Sequence, residues 1–219
     1  MYASVIDELS RISLVPVIAL ERVEDAVPLA QALHAGGIAC AEITFRTAAA
    51  AEAIRRIANE VPEVCVGAGT VLTIQQAQLA ADAGARYIIA PGFDPAIVDW
   101  CLDRRIAVFP GVATPTEISM ALAKRLTTLK FFPAEEIGGI RLLKALAAPF
   151  QQVRFIPTGG INAANLATYL ALPNVAACGG SWLATKALIE QGQFAEITRL
   201  SKEARILVRE ARGESKEML

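Results

Sequence analysis

The sequence is almost without histidine, since His34 is the only one among its 219 residues. A histidine-based triad or a zinc site built on imidazole ligands would have to rely on this single side chain. His34 lies in the stretch QALHAGG, near the end of a helical pattern, where it interacts favourably with the helix dipole. We therefore predict that catalysis depends on lysine, glutamate, arginine and backbone groups, with no metal and no cofactor.

Closely spaced cysteine pairs are also lacking. The chain has four cysteines, which are Cys40, Cys65, Cys101 and Cys178. None of them forms a CxxC pair, so a zinc knuckle is not expected. We predict that they serve as small apolar residues in the core of a cytoplasmic protein.

Long apolar runs and clusters of basic residues are missing as well. No run approaches the roughly 18 residues of a membrane span, although the mean hydropathy is high at +0.42. A parallel sheet buried on both faces explains that value, because its strands are continuously apolar. The net charge of −1 gives no support for nucleic-acid binding. Asp7 and Glu8 stand where a signal peptide would be basic, so we predict no targeting segment, no membrane partner and a cytoplasmic location.

Short apolar runs do occur, and they alternate with helical patterns along the chain. Strands are predicted at residues 15–20, 41–45, 64–69, 87–92, 107–111, 128–133, 154–159 and 175–180. The strand–helix unit repeats about every 20–28 residues. Eight such units in so short a chain favour a closed barrel over an open sheet. We predict an α/β fold: one (β/α)8 TIM-barrel domain spanning 1–219, with an extra N-terminal helix at about residues 3–12 and a frayed polar tail at 212–219.

Capping residues mark several of the predicted helices. One helix should end at Gly36-Gly37. Helix starts are predicted at Thr73 with Gln76, at Asp94 followed by Pro95, at Thr114 with Glu117, and at Asn162 before AANLATYL.

Two charged residues interrupt apolar strands. Lys130 lies in TTLKFFPAEE and Glu42 in CAEITF, where Glu42, Thr44 and Arg46 alternate onto one face. Lys130 would either extend its ammonium to water from a strand end or act as a neutral amine nucleophile. The two charges would otherwise form a structural ion pair across the barrel, but such pairs are expensive to desolvate. We favour the catalytic interpretation, because active sites of this fold lie at the C-terminal ends of the strands.

Glycine-rich turns follow three of the predicted strands. GAGTVL does not fit the dinucleotide pattern GxGxxG, because Leu72 occupies the third glycine position. PTGGIN and CGGSW follow the seventh and eighth strands, where many barrels bind phosphate with backbone N–H groups and a helix N-terminus. These glycines either admit a phosphate group or only form tight strand–helix turns.

Over residues 14–210 the sequence contains, in order, the motifs AEITFRT, GAGTVL, APGF, FPGVATPTE, KFFPAE, RFIPTGGI and CGGSWL. With these motifs it resembles the family of 2-dehydro-3-deoxy-6-phosphogluconate (KDPG) aldolases. These are class I pyruvate lyases. The resemblance implies a TIM barrel, a homotrimer and a metal-free reaction on a phosphorylated 2-oxo acid. It also implies that Lys130 forms the Schiff base and that Glu42 is the general acid/base.

The remaining site residues are assigned by the same resemblance. Arg46 and Thr70 would bind the pyruvoyl carboxylate, and Thr158 would contact the substrate hydroxyls. Pro91 and Phe132, at the ends of the fourth and sixth strands, complete the predicted substrate site. The phosphate would be held by Gly159, Gly160, Gly179, Gly180 and Ser181.

The predicted reaction is the cleavage of KDPG to pyruvate and glyceraldehyde 3-phosphate. One alternative is the same chemistry mainly on 4-hydroxy-2-oxoglutarate (KHG), which gives glyoxylate and pyruvate. A second is a phosphate-binding barrel isomerase or synthase, which would not need Lys130. The third is a non-catalytic ligand-binding barrel, which would need neither Lys130 nor Glu42.

Overall fold

The structure is a computed structural model that describes residues 2–213. Its strands are β1 (Leu14–Ile18), β2 (Cys40–Thr44), β3 (Cys65–Gly69), β4 (Tyr87–Ile89), β5 (Ala107–Phe109), β6 (Gly111–Val112), β7 (Thr128–Phe131), β8 (Arg154–Pro157) and β9 (Cys178–Gly180). Its helices are α1 (Tyr2–Ile12), α2 (Ala26–Ala35), α3 (Ala50–Glu60), α4 (Ile74–Asp82), α5 (Pro95–Asp103), α6 (Pro115–Ala123), α7 (Gly139–Ala147), α8 (Leu166–Leu170), α9 (Lys186–Glu190) and α10 (Phe194–Arg212).

All of the strand pairings are parallel, and the sheet closes on itself. One part has the strand order β5-β4-β3-β2-β1-β9 and the other has the order β6-β7-β8. Isolated bridges from Phe155 to Val175 and from Thr158 to Gly179 join β8 to the β9 side. At the other seam, β5 and β6 follow each other with only Pro110 between them. The predicted (β/α)8 barrel with an additional N-terminal helix is therefore confirmed.

The fifth predicted strand, 107–111, differs from the prediction because it is divided at Pro110 into β5 and β6. Proline has no N–H to donate to a strand ladder. The Pro110 carbonyl still accepts from the Lys130 N–H at 3.0 Å, so the neighbouring strand β7 follows on without a gap. The last predicted strand, 175–180, begins only at Cys178, and most of the others end one to three residues earlier than predicted.

The predicted helix starts are confirmed with one exception. Asp94 accepts from the N–H groups of Ala96 and Ile97, and Thr114 with Glu117 forms a capping box. Thr73 accepts from the Gln76 N–H, while the Gln76 side chain accepts from the Leu72 N–H.

The exception is the helix predicted to begin at Asn162, which begins instead at Leu166. Asn162 Oδ1 accepts from the Ala164 N–H at 2.9 Å. Asn165 Oδ1 accepts from the Asn162 N–H at 2.8 Å. With the Asn165 and Leu166 N–H groups donating to the Asn162 carbonyl at 3.3 and 3.0 Å, these bonds close a turn that precedes the helix.

The core lies inside the barrel and between the strands and the helices. All four cysteines are buried and free, as predicted. Burial raises the pKa of the Cys65 and Cys101 thiols to about 12, which keeps them protonated at neutral pH. None of the described helices combines the length and apolar character needed to cross a membrane. Of the tail predicted to fray, residues 214–219 lie outside the described part of the chain.

Candidate active site

Lys130 and Glu42 meet inside the barrel. Lys130 lies on β7 and Glu42 on β2, strands that are on opposite sides of the closed sheet. Lys130 Nζ is 3.5 Å from Glu42 Oε1, and the two residues are only 4% and 1% exposed. Two side chains from opposite strands approach this closely only if both point to the barrel axis. The structure thus brings together the two residues that the sequence singled out as catalytic.

Lys130 has an aromatic ring beside its amine, and one carboxylate oxygen of Glu42 lacks a hydrogen bond within the described part of the chain. Lys130 Nζ lies 5.1 Å from the centre of the Phe132 ring. Glu42 Oε1 is buried and has no hydrogen-bond partner among residues 2–213. A buried carboxylate oxygen without a hydrogen bond costs free energy, so a purely structural role explains it poorly. Its free lone pairs suit a substrate hydroxyl or a water.

Gly69 provides the space for the Glu42 carboxylate. It is the last residue of β3 and pairs in register with Thr44 on β2. A Cβ atom at Gly69 would lie 2.1 Å from Glu42 Oε1, which is closer than atoms can approach. The sequence had only excluded a dinucleotide role for this glycine-rich stretch. Its close approach to Glu42 is visible only once β2 and β3 are paired.

We predict that Gly69→Ala displaces the Glu42 carboxylate and lowers kcat by about 10²-fold, the scale of losing a positioned acid/base. The overpacked site should also lose about 1–3 kcal/mol of folding stability. Steady-state kinetics and thermal unfolding measure the two effects. Gly92→Ala is the matched control, because no heavy atom lies within 4 Å of its added methyl group. Unchanged kcat in Gly69→Ala would show that the carboxylate position is not critical.

A cavity of about 190 Å³ opens at the C-terminal ends of β1, β7, β8 and β9. Two of its lining residues, Val17 and Ile161, were not predicted; both are apolar and have no chemical signature in the sequence. Its other lining residues were all predicted as substrate-binding: Arg46, Phe132, Thr158, Gly159, Gly160, Gly179, Gly180 and Ser181.

Arg46 reaches this cavity with its guanidinium oriented by β2. Its Nε donates to Thr44 Oγ1 at 3.1 Å, and Thr44 Oγ1 donates to the Ile18 carbonyl at 2.9 Å. The chain of two bonds fixes one edge of the guanidinium. Its remaining N–H groups suit a planar carboxylate, which arginine binds in a bidentate manner.

Thr70 and Pro91 do not line this cavity. Thr70 follows β3 directly with a positive φ of 55°. Pro91 lines a separate cavity of about 160 Å³. A Cβ atom at Gly111 would lie 2.0 Å from the Pro91 carbonyl oxygen, and Gly111 is the register partner of Lys130. Pro91 therefore packs against the strand next to the lysine.

The turn after β8 brings the backbone of Gly159, Gly160 and Ile161 to the cavity. Gly159 and Gly160 have φ values of +101° and +77°, which favour glycine. The N–H groups of Gly159, Gly160 and Ile161 donate to no acceptor within the part of the chain that the structure describes. Free N–H groups of this kind bind anions. The predicted contribution of a helix N-terminus is not seen, because α8 begins only at Leu166 and α9 at Lys186.

The two glycine turns are in contact with each other. A Cβ atom at Gly179 would lie 2.2 Å from Thr158 Oγ1, and one at Gly180 would lie 1.9 Å from the Trp182 ring. Bulky substitutions at these glycines would therefore disturb packing as well as binding. Ser181 is exposed next to them and is better suited to a test of ligand contacts.

Comparisons with known proteins identify the family to which the chain is similar. Residues 5–200 match the aldolase family described as KDPG and KHG aldolase. A 2-dehydro-3-deoxy-phosphogluconate aldolase of Treponema pallidum is 51% identical over 200 residues, which cover 91% of this chain and 95% of the relative.

Solved structures of high similarity are also aldolases. The KDPG aldolase of Legionella pneumophila, with pyruvate captured as a covalent carbinolamine, is 43% identical with a TM-score of 0.85, covering 87% of this chain and 92% of that one. The aldolase of Zymomonas mobilis with 3-phosphoglycerate is 41% identical with a TM-score of 0.85, covering 92% and 95%. The chain described here belongs to the KDPG and KHG aldolase family of class I, pyruvate-dependent carbon–carbon lyases.

Proposed function

We propose that the protein cleaves KDPG to pyruvate and glyceraldehyde 3-phosphate through a Schiff base on Lys130. The observation that supports this most is the buried pair of Lys130 and Glu42, 3.5 Å apart within the barrel. The Lys130 side chain points into the barrel, where the apolar ring of Phe132 limits the hydration of its amine. A carboxylate at this distance can accept and return a proton next to the reacting carbon atoms.

The reaction begins when the neutral Lys130 amine attacks the C2 ketone. A carbinolamine forms, takes up a proton and loses water to give a protonated imine. Glu42 then removes the C4 hydroxyl proton, and the C3–C4 bond breaks as its electrons move into the imine. C4 leaves as the aldehyde carbon of glyceraldehyde 3-phosphate, and an enamine remains on Lys130.

The second half of the reaction returns the enzyme to its starting state. The protonated Glu42 gives its proton to C3 of the enamine, which restores the imine. Water adds to this imine, and pyruvate leaves as the neutral Lys130 amine and the proton taken up earlier are released. The water consumed here balances the water lost earlier, and Glu42 ends as a carboxylate.

The cavity residues are assigned to the two ends of the substrate. Arg46 binds the carboxylate next to the reacting ketone, and Thr158 contacts the substrate hydroxyls. Thr70, which lies outside this cavity, is assigned to the same carboxylate by the family resemblance only. Phe132 forms an apolar wall near Lys130, whereas Pro91 lines the separate cavity and packs against β6, the strand next to the lysine. The free N–H groups of the turn after β8, together with Gly179, Gly180 and Ser181, bind the phosphate, and the 3-phosphoglycerate in the Zymomonas mobilis structure is consistent with a phosphorylated ligand.

KHG is the second candidate substrate, since the family description includes it. KHG has no phosphate and cannot use the anion-binding turns. If those turns evolved to bind substrate, kcat/KM for KDPG should exceed kcat/KM for KHG. The ratio of the two values, measured on the same preparation, tests the proposal. A ratio of one or less would favour KHG as the main substrate.

The phosphate assignment predicts a selective effect of Ser181→Asp. A carboxylate introduced here should repel the substrate phosphate and lower kcat/KM for KDPG by about 10–100-fold, the cost of losing hydrogen bonds to a charged group. KHG cleavage should change far less. Both substrates have to be compared by kcat/KM, because lost remote binding can appear in kcat or in KM. Equal losses for both substrates would remove Ser181 from the phosphate site.

We also propose that the chain forms a single domain in a cytoplasmic homotrimer. The family resemblance supports the trimer, and the uninterrupted strand–helix alternation supports the single domain. Light scattering of the purified protein tests the trimer directly.

A further inference from the structure

Two asparagine side chains hold the carbonyl of Gly160, in the turn after β8. Asn165 Nδ2 donates to the Gly160 oxygen at 3.0 Å, and Asn162 Nδ2 donates to the same oxygen at 3.3 Å. A carbonyl with two lone pairs accepts both donors. Neither asparagine is among the residues that line the cavity, and both NH₂ groups are directed to the Gly160 carbonyl.

The orientation of both amides is fixed by their other ends. Asn165 Oδ1 accepts from the Asn162 N–H, and Asn162 Oδ1 accepts from the Ala164 N–H. Each oxygen is thus matched to a backbone donor, which leaves each NH₂ group for the Gly160 carbonyl. A flipped amide would place oxygen against oxygen at Gly160 and NH₂ against N–H at the other end.

Holding this carbonyl also fixes the direction of the next backbone donor. The peptide bond between Gly160 and Ile161 is planar and trans, so the Ile161 N–H points opposite to the Gly160 carbonyl. The asparagines therefore direct this N–H away from themselves. Ile161 lines the cavity, and its N–H has no acceptor among residues 2–213. With φ values of +101° and +77°, Gly159 and Gly160 otherwise leave this peptide many orientations.

We propose that Asn162 and Asn165 are positioning residues that orient the Ile161 N–H toward the substrate phosphate and so set the preference for KDPG over KHG. The inference deepens the proposed function and rests on it, because it needs the phosphate to bind at this turn. Without the two NH₂ donors, the Gly160–Ile161 peptide can rotate and turn its carbonyl oxygen toward the anion. A purely structural turn would instead affect both substrates and the folding stability alike.

The test is Asn165→Asp, assayed with KDPG and KHG. The substitution keeps Oδ1 for the Asn162 N–H and replaces only the donor to Gly160 by a second oxygen. We expect kcat/KM for KDPG to fall by about 10–100-fold, the scale of one hydrogen bond to a charged group, while kcat/KM for KHG changes by less than about 2-fold. Ala164→Asp places the same charge on an exposed neighbour without touching the Gly160 carbonyl, and it controls for charge alone.

Asn162→Asp repeats the test at the other donor and keeps the bond to the Ala164 N–H. If one of the two asparagine variants does not fold, the substrate preference of the other tests the positioning role. An equal loss for both substrates, or an equal KDPG-selective loss in Ala164→Asp, would overturn the positioning role.

Ser181→Asp, measured in parallel, separates the positioning role of the asparagines from the phosphate assignment on which it rests. If Ser181→Asp is KDPG-selective and neither asparagine variant is, only the positioning role fails. If none of the three is selective, the phosphate assignment itself fails.

Discussion

Lys130→Arg should abolish aldolase turnover, with kcat falling by at least ~10³-fold, because arginine stays protonated and cannot form an imine. The substitution keeps a positive charge opposite Glu42, which preserves the buried ion pair and limits the effect on folding. The measurement is pyruvate release from KDPG, together with a thermal unfolding curve. Lys144→Arg makes the same change on the exposed face of α7 and should retain full activity.

A folded Lys130→Arg protein with more than about a tenth of wild-type kcat would contradict the Schiff-base mechanism, since the lost nucleophile has no substitute in the described site. Loss of activity in Lys144→Arg would point to a second functional lysine. If only Lys130→Arg fails to fold, the covalent trapping of pyruvate described below tests the Schiff-base mechanism.

Glu42→Gln should lower kcat by about 10²–10⁴-fold, which is the usual contribution of a positioned general acid/base. Glutamine has the same shape beside Gly69 but cannot take the C4 hydroxyl proton. The attack of Lys130 on a ketone does not require that proton, so the variant should still form a reducible adduct with pyruvate. Kinetics with KDPG and borohydride trapping with pyruvate, on the same sample, measure the two properties separately.

The matched control is Glu52→Gln on the exposed face of α3, which should change neither property. Glu42→Gln also removes the partner of a buried lysine, so some loss of stability is expected. A variant that traps pyruvate and turns over KDPG at the wild-type rate would show that another group handles the proton. Parallel loss of trapping and turnover would instead give Glu42 a role in imine formation.

The elements with a strong local signal could be predicted from the sequence. Strands of a parallel barrel are continuous apolar runs, so a charged residue within one is conspicuous, and this is why Lys130 and Glu42 were found. Asp94 and Thr114 mark helix starts because their side-chain oxygens accept hydrogen bonds from N–H groups two or three residues further along the chain. Eight strand–helix repeats then place Lys130 and Glu42 in one closed barrel.

Features that depend on contacts between distant residues could not be predicted in this way. The approach of Gly69 to Glu42 depends on the register of β2 with β3, which no local pattern states. Val17 and Ile161 line the cavity with apolar side chains that look like any core residue. Asn162 is a typical capping residue, but its N–H donates to Asn165 Oδ1 in a turn that precedes the helix, which begins at Leu166.

The most direct test of the central claim is to incubate the protein with pyruvate, reduce it with borohydride and map the adduct by mass spectrometry. Pyruvate is the product half that remains on the lysine, so the test does not depend on the phosphate site. We expect one adduct per chain, located on Lys130, and none when pyruvate or borohydride is left out. An adduct on Lys124 or Lys144, or no adduct with active enzyme, would contradict the assignment of Lys130 as the nucleophile.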